Sequence, residues 1–374
     1  MRRLSAALLA ATGLLAACAT PRPAPVVTPT PKPPPPAPEA SVLVPETWAE
    51  LPGWAEDDHL SALQAFRAGC SVARDLELTI ICQSARSAQI SDAAMARRFF
   101  EQNFQPVRVS GEGVLTAYFA PEYPARQKRD AEFSAPVRPR PSDLVISGTG
   151  GRDAQKRSAD GTLSPYPDRA AIDAGATDQA LAWMRPEDLF FLQIQGSGVL
   201  TFEDGRRMKA LFAATNGRPF SGIANPMRDK GLLAADNTSG EAIRSWLAAH
   251  RGPEADAVMQ INARYVFFSL APDDGRPPVG AAGIPLPGGR AIAVDASRHS
   301  LGELVYIDGA APILSGAFPS YRRLVMALDV GGAIKGEVRA DLYLGQGAAA
   351  GAEAGRVRHV LKMHRLIPIT GAGK

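Results

Sequence analysis

The sequence predicts a mainly β protein with some α-helix, organised around a small β-barrel. Six short apolar runs, separated by glycine-containing segments, fill the chain from about Tyr265 to its C-terminal end. They occupy residues 265–270, 291–296, 302–307, 322–330, 340–345 and 359–367. Few helical patterns lie between them, and a strong hairpin signal, Asp204-Gly205, lies upstream. Many short strands with turn residues between them are typical of barrels.

Three upstream segments have apolar residues at helical spacing. They are residues 58–68, 91–104 and 238–250. In the first, Leu60, Leu63 and Phe66 fall on one face. Ser91 is the predicted N-cap of the second helix. Thr238 and Glu241 have the spacing of a capping box at the third.

Further strands are predicted before the C-terminal cluster. Residues 188–214 alternate in apolar character on both sides of Asp204-Gly205, which predicts two strands joined by a tight turn. Residues 113–127 begin as a β-like run that Pro121 interrupts. Residues 127–180 are polar and rich in glycine and proline.

Length and charge limit the classes of function. A chain of 374 residues holds one large domain or two ordinary ones. The net charge of +3 is small and spread along the chain, with no run of lysine and arginine. We therefore expect no nucleic-acid partner.

The N-terminal residues have the pattern of a secretory signal. A charged start and an apolar stretch precede Leu15-Ala16-Ala17-Cys18, which resembles a bacterial lipobox. This resemblance implies a signal peptide at 1–17, lipidation of Cys18 and, because residue 19 is not aspartate, transfer to the periplasmic face of the outer membrane. The alternative is an ordinary signal peptide with a chance cysteine.

A proline-rich stretch follows, and we assign residues 18–47 to the lipidated cysteine and a linker. Polyproline II geometry across residues 20–40 gives a reach of roughly 60 Å. Beyond the linker, Cys70 and Cys82 allow a disulfide in an oxidising compartment, or two buried thiols.

Several common catalytic patterns are absent. The five histidines have no metal-ligand spacing, and no G-x-S-x-G turn occurs. Residues 345–351, GQGAAAG, lack the surrounding βαβ unit of a dinucleotide site. We therefore predict no metal and no cofactor.

Three aspartates remain as candidates. Asp295, Asp329 and Asp341 lie at or near the ends of apolar runs. If they converge, each disfavours ionisation of the others, and one could stay protonated and act as a general acid. Alternatively, each aspartate begins a turn.

The segment ALDVGGAIKGEVRADLY closely resembles the C-terminal motif of the membrane-bound lytic murein transglycosylase A family, with its three-aspartate domain. Further segments resemble that family's blocks in the same order, so the resemblance covers roughly residues 48 to 370. They are LTAYFAPEYPARQ, LFFLQIQGSGVLTFEDG, ATNGRPFSGI, EAIRSWL, YVFF and LGQGAAAGAEAG.

The resemblance implies a fold and a division into domains. The expected fold is a double-psi β-barrel made of two chain segments, 48–125 and 268–370. A second β-domain, 126–267, is inserted between them, with a groove between the two domains.

The resemblance also implies roles for single residues. Asp341 matches the catalytic acid, Asp329 sets its pKa, and Asp295 supports them. The spacer before Asp341, EVRA, departs from some relatives and differs in length by about one residue. Expected sugar contacts are Thr116, Tyr118, Gln195, Gly196, Ser197 and Lys335. Core packing for Tyr118 and simple solvation for Lys335 remain alternatives.

The implied activity is non-hydrolytic cleavage of the β-1,4 bond between N-acetylmuramic acid and N-acetylglucosamine. It gives 1,6-anhydromuramoyl ends. Expected partners are peptidoglycan glycan strands, the membrane through the lipid anchor, and proteins of cell-wall synthesis or division. The alternatives are a non-catalytic peptidoglycan-binding outer-membrane lipoprotein and a hydrolase of another polysaccharide.

Overall fold

The computed structural model describes residues 43–73, 75–147, 153–176, 179–234, 236–312 and 319–369. The predicted signal peptide (1–17), the lipidation site Cys18 and the linker as far as residue 42 lie outside the described residues. In the described part of the chain, no helix is both long and apolar enough to cross a membrane.

The structure is mixed, with more strand segments than helices. Its strands are β1 (Leu43–Pro45), β2 (Phe104–Val109), β3 (Gly113–Ala120), β4 (Glu122–Pro124), β5 (Ala135–Val137), β6 (Leu144–Ser147), β7 (Asp153–Arg157), β8 (Leu163–Pro165), β9 (Ala182–Met184), β10 (Gly198–Thr201), β11 (Arg207–Thr215), β12 (Val266–Pro272), β13 (Ala291–Val294), β14 (Leu304–Pro312), β15 (Tyr321–Val330), β16 (Arg339–Gln346) and β17 (Arg358–Pro368). Its α-helices are α1 (His59–Gly69), α2 (Leu76–Ser87), α3 (Ala93–Asn103), α4 (Arg169–Ala174), α5 (Pro186–Gln195), α6 (Ala224–Asp229), α7 (Gly240–Ala249), α8 (Pro253–Met259) and α9 (Gly347–Ala354).

Six strands close into a barrel. Their order is β17-β14-β15-β13-β16-β3, and β3 pairs back onto β17. The barrel therefore combines strand β3 with five strands that follow residue 290. The predicted mainly β fold, with a barrel assembled from two separated pieces of chain, is confirmed.

The barrel has two apolar faces. Its interior core includes Leu115, Ile292, Val294, Val305, Ile307, Val325, Leu342, Leu361 and Met363. A second core covers the outer face, where α1, α2 and α3 pack Phe66 and Phe100 against Leu328 and Tyr343. Successive side chains of a strand point to opposite faces. Leu342 is in the inner core, so Asp341 and Tyr343 belong to the outer face.

The helical layer holds the two remaining cysteines. Cys70 and Cys82 are joined in a disulfide with a Cα–Cα distance of 5.6 Å, which ties the end of α1 to α2. The predicted N-cap Ser91 is wrong by one residue. Asp92 caps α3, because its side chain accepts a hydrogen bond from the backbone N–H of Met95.

The inserted part has its own sheet. Four strands pair in the order β12-β11-β10-β4, and β10 and β11 form the hairpin predicted at Asp204-Gly205. The strand predicted from residue 188 is wrong, since α5 occupies Pro186–Gln195. Leu189, Phe190 and Leu192 are all buried there. An apolar run buried on most of its sides loses the alternation that separates helix from strand.

The cap of α7 is Ser239, which accepts from the N–H of Ala242, so the predicted cap at Thr238 is wrong by one residue. Division into 48–125, 126–267 and 268–370 stays a prediction. On the barrel side of both internal boundaries, β4 and part of β12 hydrogen-bond within the insert sheet.

Candidate active site

Two of the three aspartates lie in one row across the outer face of the barrel. On adjacent strands, Thr116 of β3 pairs with Asp341 of β16, and Asp341 pairs with Ala293 of β13. Ala293 also pairs with Asp329 of β15. Paired residues on neighbouring strands share a face. The two carboxylates therefore lie on the same face, on the strands either side of Ala293, and the charge of Asp329 acts on Asp341.

A β-bulge puts Asp329 in this row. Ile292 pairs with Ala327, but the next residue, Ala293, pairs with Asp329, so Leu328 is the extra residue of β15. Without the bulge, Leu328 would oppose Ala293 and the carboxylate would move one place along the strand. Bulges often redirect a side chain beside an active site.

Asp329 is surrounded by hydrogen-bond donors. The Tyr118 hydroxyl donates to Oδ2 at 2.7 Å, and the backbone N–H groups of Ala281 and Val330 donate to Oδ1 at 3.0 and 2.9 Å. Burial raises the pKa of Asp329, and these three hydrogen bonds oppose that rise because they stabilise the charged form.

Asp341 has fewer donors. The Thr116 hydroxyl donates a short hydrogen bond to its Oδ1. Burial raises the pKa of Asp341; the Thr116 hydrogen bond and the Arg339 charge oppose the rise, while the Asp329 charge adds to it. With one hydrogen-bond donor against three, Asp341 is the carboxyl better suited to remain neutral. Asp329 is the one better suited to carry charge.

Asp295 behaves differently from the other two aspartates. Burial acts to raise its pKa, but the N–H groups of Gly336 and Ser297, the Ser297 hydroxyl and Lys335 hold the pKa of Asp295 below its ordinary value. It follows Ala293 by two residues, so it lies about 7 Å further along this edge of the barrel. The row therefore contains Asp341 and Asp329, whereas Asp295 binds the loop that precedes β16 through Gly336 and Lys335.

Lys335 is engaged by that loop. Its Nζ lies 3.7 Å from Oδ1 of Asp295, and about half of its side chain is exposed. Among the described residues, its ion-pair partner is therefore this aspartate. The contact with Asp295 stabilises the loop before β16, and the Lys335 side chain stays partly accessible to solvent.

The remaining predicted contacts lie near β3. Tyr118 pairs with Tyr343, with ring centroids 5.2 Å apart, and it packs at the edge of the outer core. Gln195, at the end of α5, accepts a 3.2 Å hydrogen bond from the N–H of Phe119. Gly196 ends α5 with φ of 86°, a conformation that favours glycine. Ser197 lines a small cavity with Gln346.

Sequence reasoning missed Arg339. Its guanidinium donates to the Thr116 hydroxyl at 2.9 Å and to the carbonyl oxygen of Val114 at 3.2 Å. The signal was available, because Arg339 precedes Asp341 by two residues and period-two alternation puts both on one face. Ala293 and the backbone of Ala281 were also missed; their contribution depends on strand register.

A cavity of about 820 Å³ lies beside the row, with Ala281 in its wall. None of the three aspartates lines it. In its wall, Arg365 donates to Glu337 at 2.7 Å, and His299 Nδ1 lies 3.0 Å from Glu303. Of the three aspartates, the two of raised pKa therefore lie in the row and outside the cavity wall. Among the described residues, no three His, Cys, Asp or Glu side chains group as a metal site would need.

The barrel is closed, its outer face has two aspartates of raised pKa, and a second β-domain is inserted between the two pieces of chain that form it. These features define a two-domain barrel protein whose carboxyls suit acid–base chemistry. Comparison with known proteins makes this class more specific. The family described as MltA specific insert domain matches residues 114–269, and the family described as 3D domain matches residues 290–367.

Similar proteins are consistent with both matches. Membrane-bound lytic murein transglycosylase A of Escherichia coli K12 is 33% identical over 271 residues, which are 70% of this chain and 68% of the relative. The chain therefore belongs to the membrane-bound lytic murein transglycosylase A family.

Solved structures agree over most of the chain. The membrane-bound lytic murein transglycosylase from Agrobacterium tumefaciens superposes with a TM-score of 0.74 at 33% identity, covering 87% of this chain and 97% of that one. The Escherichia coli MltA structure with bound chitohexaose gives a TM-score of 0.64 at 26% identity, covering 88% and 92%.

Proposed function

We propose that this chain is a peptidoglycan lytic transglycosylase in which Asp341 acts first as general acid and then as general base. The observation that carries the proposal is the environment of Asp341: burial and the Asp329 charge raise its pKa, and it lies on the outer face of the barrel. Membership in a family of lytic murein transglycosylases supports the substrate class.

The reaction begins with Asp341 protonated. Its proton passes to the glycosidic oxygen between N-acetylmuramic acid and N-acetylglucosamine. The bond from that oxygen to C1 of the muramoyl residue breaks, and its electron pair stays with the oxygen. Positive charge of oxocarbenium character develops at C1. An acid with a raised pKa suits this step, because it holds its proton near neutral pH.

The second step returns the proton to the enzyme. The carboxylate of Asp341 takes the proton of the muramoyl 6-hydroxyl, and O6 bonds to C1. The product is a 1,6-anhydromuramoyl end, Asp341 is again protonated, and no water is consumed. One carboxyl does both proton transfers, whereas a glycoside hydrolase uses two.

The neighbouring groups have separate tasks in this proposal. Asp329 keeps a negative charge beside Asp341, which raises the pKa of the acid. Asp295 and Lys335 hold the loop before β16. Tyr118, Gln195, Gly196 and Ser197 border the sugar path, and the bound chitohexaose of the Escherichia coli relative supports an oligosaccharide ligand.

We also propose that the protein is anchored by lipid at Cys18 on the periplasmic face of the outer membrane. The lipobox-like sequence and the name of the relatives, membrane-bound, support this location. The proline-rich linker would let the enzyme reach glycan strands away from the bilayer surface.

Product analysis tests the activity. The protein without residues 1–40 is incubated with purified murein sacculi, and the soluble products are analysed by mass spectrometry. We expect muropeptides with 1,6-anhydro ends, 18 mass units lighter than hydrated ends. Hydrated reducing ends would identify a hydrolase. Binding to sacculi without any released product would favour the non-catalytic lipoprotein.

A further inference from the structure

Arg339 reaches the catalytic pair through Thr116. On the parallel strands β16 and β3, Arg339 pairs with Val114 and Asp341 pairs with Thr116. The side chain of Arg339 crosses this ladder diagonally, and its Nη2 donates to Oγ1 of Thr116 at 2.9 Å. Oγ1 in turn hydrogen-bonds Oδ1 of Asp341. The three side chains therefore form a chain of two hydrogen bonds.

The direction of the first bond follows from chemistry, and in the second the Thr116 hydroxyl is the donor. A guanidinium group has only N–H donors and no acceptor, so Oγ1 of Thr116 must be the acceptor from Arg339. A threonine hydroxyl has a single proton. That proton is then free to point at Asp341, where Oδ1 accepts it.

We propose that Arg339 is a positioning residue that fixes the Thr116 hydroxyl as a donor to Oδ1 of Asp341, so that the transferable proton resides on Oδ2. This inference rests on the proposed function of Asp341. It adds which oxygen delivers the proton and which residue selects it. Arg339 begins strand β16, two residues before Asp341.

The same arrangement assists the step after proton transfer. When Asp341 becomes a carboxylate, the Thr116 hydrogen bond already points at it, and the Arg339 charge is nearby. Donors oriented before the charge develops need no reorganisation during the reaction. Without Arg339, the hydroxyl could rotate, and Oδ1 would compete for the proton.

A purely structural contribution is the alternative. Arg339 also donates to the carbonyl oxygens of Val114 and Ala340, at 3.2 and 2.5 Å, and so links β3 to β16. A test must therefore separate the Thr116 contact from this link. A double-mutant cycle does so, because it isolates the pairwise coupling.

The cycle uses Arg339→Gln, Thr116→Val and the double variant, with kcat and KM measured on soluble glycan fragments. We expect each single change to lower kcat about 10–100-fold, the scale of a misplaced catalytic group, with KM changed less than about twofold. The double variant should be no slower than the slower single variant. Additive losses would overturn the inference, as would Arg339→Gln with wild-type kcat.

Two more variants guard against general damage. Thr116→Ser keeps the hydroxyl and should be faster than Thr116→Val. Arg322→Gln removes another arginine of the barrel surface, one that donates to Asp308 at 2.8 Å near the other end of β15. It should cost stability and leave kcat unchanged. Arg339→Lys, which retains a donor and the charge, covers the case in which Arg339→Gln fails to fold.

A measurement without substrate separates this inference from the proposed activity. Thr116, Arg339 and Asp329 act directly on the Asp341 carboxyl, and Tyr118 is affected by its charge. Tyr343 of β16 and Arg358 of β17 are the next titratable groups on the same face, beside Tyr118 and Arg339. In protein labelled with 13C-aspartate, the pKa of Asp341 should rise in Arg339→Gln and in Thr116→Val. In the double variant the pKa of Asp341 should rise by less than the sum of the two single shifts. Additive shifts would reject the positioning inference even if the wild type is active, whereas coupled shifts in a protein that releases no anhydro products would reject only the activity.

Discussion

The Tyr118 hydroxyl donates a 2.7 Å hydrogen bond to Oδ2 of Asp329, joining β3 to β15 on the outer face of the barrel. The phenol stays neutral, because burial and the charge of Asp329 raise the pKa of Tyr118 well above its usual range. It can therefore only donate to a charged Asp329, and it favours the ionised carboxylate. The negative charge that this contact preserves is the one that raises the pKa of Asp341.

Removing that charge should shift the pH dependence of catalysis. Asp341 must be protonated to act as an acid, so activity falls as pH rises through its pKa. In Asp329→Asn the like charge is lost and the pKa of Asp341 falls. The alkaline limb of the kcat/KM profile should then move to lower pH. Profiles of anhydro-product release measured from about pH 4 to 9 check the direction.

Tyr118→Phe is the matched control for that prediction. Without the phenol the pKa of Asp329 rises, so this carboxyl is neutral over more of the working range, and the limb should move the same way by a smaller amount. A limb that moves to higher pH in either variant would contradict the pairing of Asp329 with Asp341.

Asp341→Asn should lose activity and gain stability. The loss should be on the order of 10²–10⁴-fold, the contribution of a general acid. The amide oxygen can still accept from Thr116, so the fold is preserved. The folded-state pKa of Asp341 is raised, so its ionisation destabilises the folded protein as pH rises above the unfolded pKa of about 3.9. Asparagine removes that cost.

Thermal unfolding at two pH values measures the effect. The variant should melt above the wild type at pH 7, and the difference should shrink toward pH 4, where the wild-type carboxyl is protonated in the folded state. Near-normal activity would show that another group is the acid. A lower melting temperature at pH 7 would show that this carboxylate stabilises the fold.

The sequence predicted five of the barrel strands, β13 to β17, because their apolar runs are short, β-rich and separated by glycine; the run at 265–270, predicted with them, is instead β12 of the insert sheet. It also identified Asp329 and Asp341, though their roles came from resemblance. The bulge at Leu328 could not be predicted, since it depends on the register of β15 against β13. The helix α5 was missed because burial on most sides removes its periodicity. Period-two alternation could have placed Arg339 on the same face as Asp341. Its contact with Thr116 could not be predicted, because it depends on the pairing of β16 with β3.

Asp295→Asn should have the opposite effect on stability from Asp341→Asn. Both oxygens of Asp295 accept hydrogen bonds from donors, so an amide NH₂ would face a donor and leave a buried group unsatisfied, at a cost of about 1–3 kcal/mol. Its pKa is held low, so its stabilising charge is present above about pH 4 and is lost below that as the folded-state carboxyl protonates.

Melting curves distinguish this behaviour. At pH 7 the variant should melt below the wild type, and the difference should narrow only below about pH 4. Catalysis should fall by less than in Asp341→Asn, since Asp295 lies outside the row. Equal losses of kcat in the two variants would place Asp295 in the chemistry itself.

The disulfide between Cys70 and Cys82 should contribute to stability without affecting catalysis. It joins residues 12 apart in sequence, and in the chain-entropy description a loop of that size stabilises by about 3 kcal/mol. Both cysteines are buried in the helical layer, whereas the row that contains Asp341 and Asp329, the proposed site of catalysis, lies on β3, β16, β13 and β15. In Cys70→Ala/Cys82→Ala we expect that loss in unfolding free energy, with kcat retained at 25 °C. Denaturant unfolding with and without reductant measures the effect. Reductant should lower the unfolding midpoint of the wild type toward that of the variant and leave the midpoint of the variant unchanged. The two cysteines are not bridged if reductant leaves the unfolding midpoint of the wild type unchanged and the unfolded protein reacts with a thiol reagent without reductant.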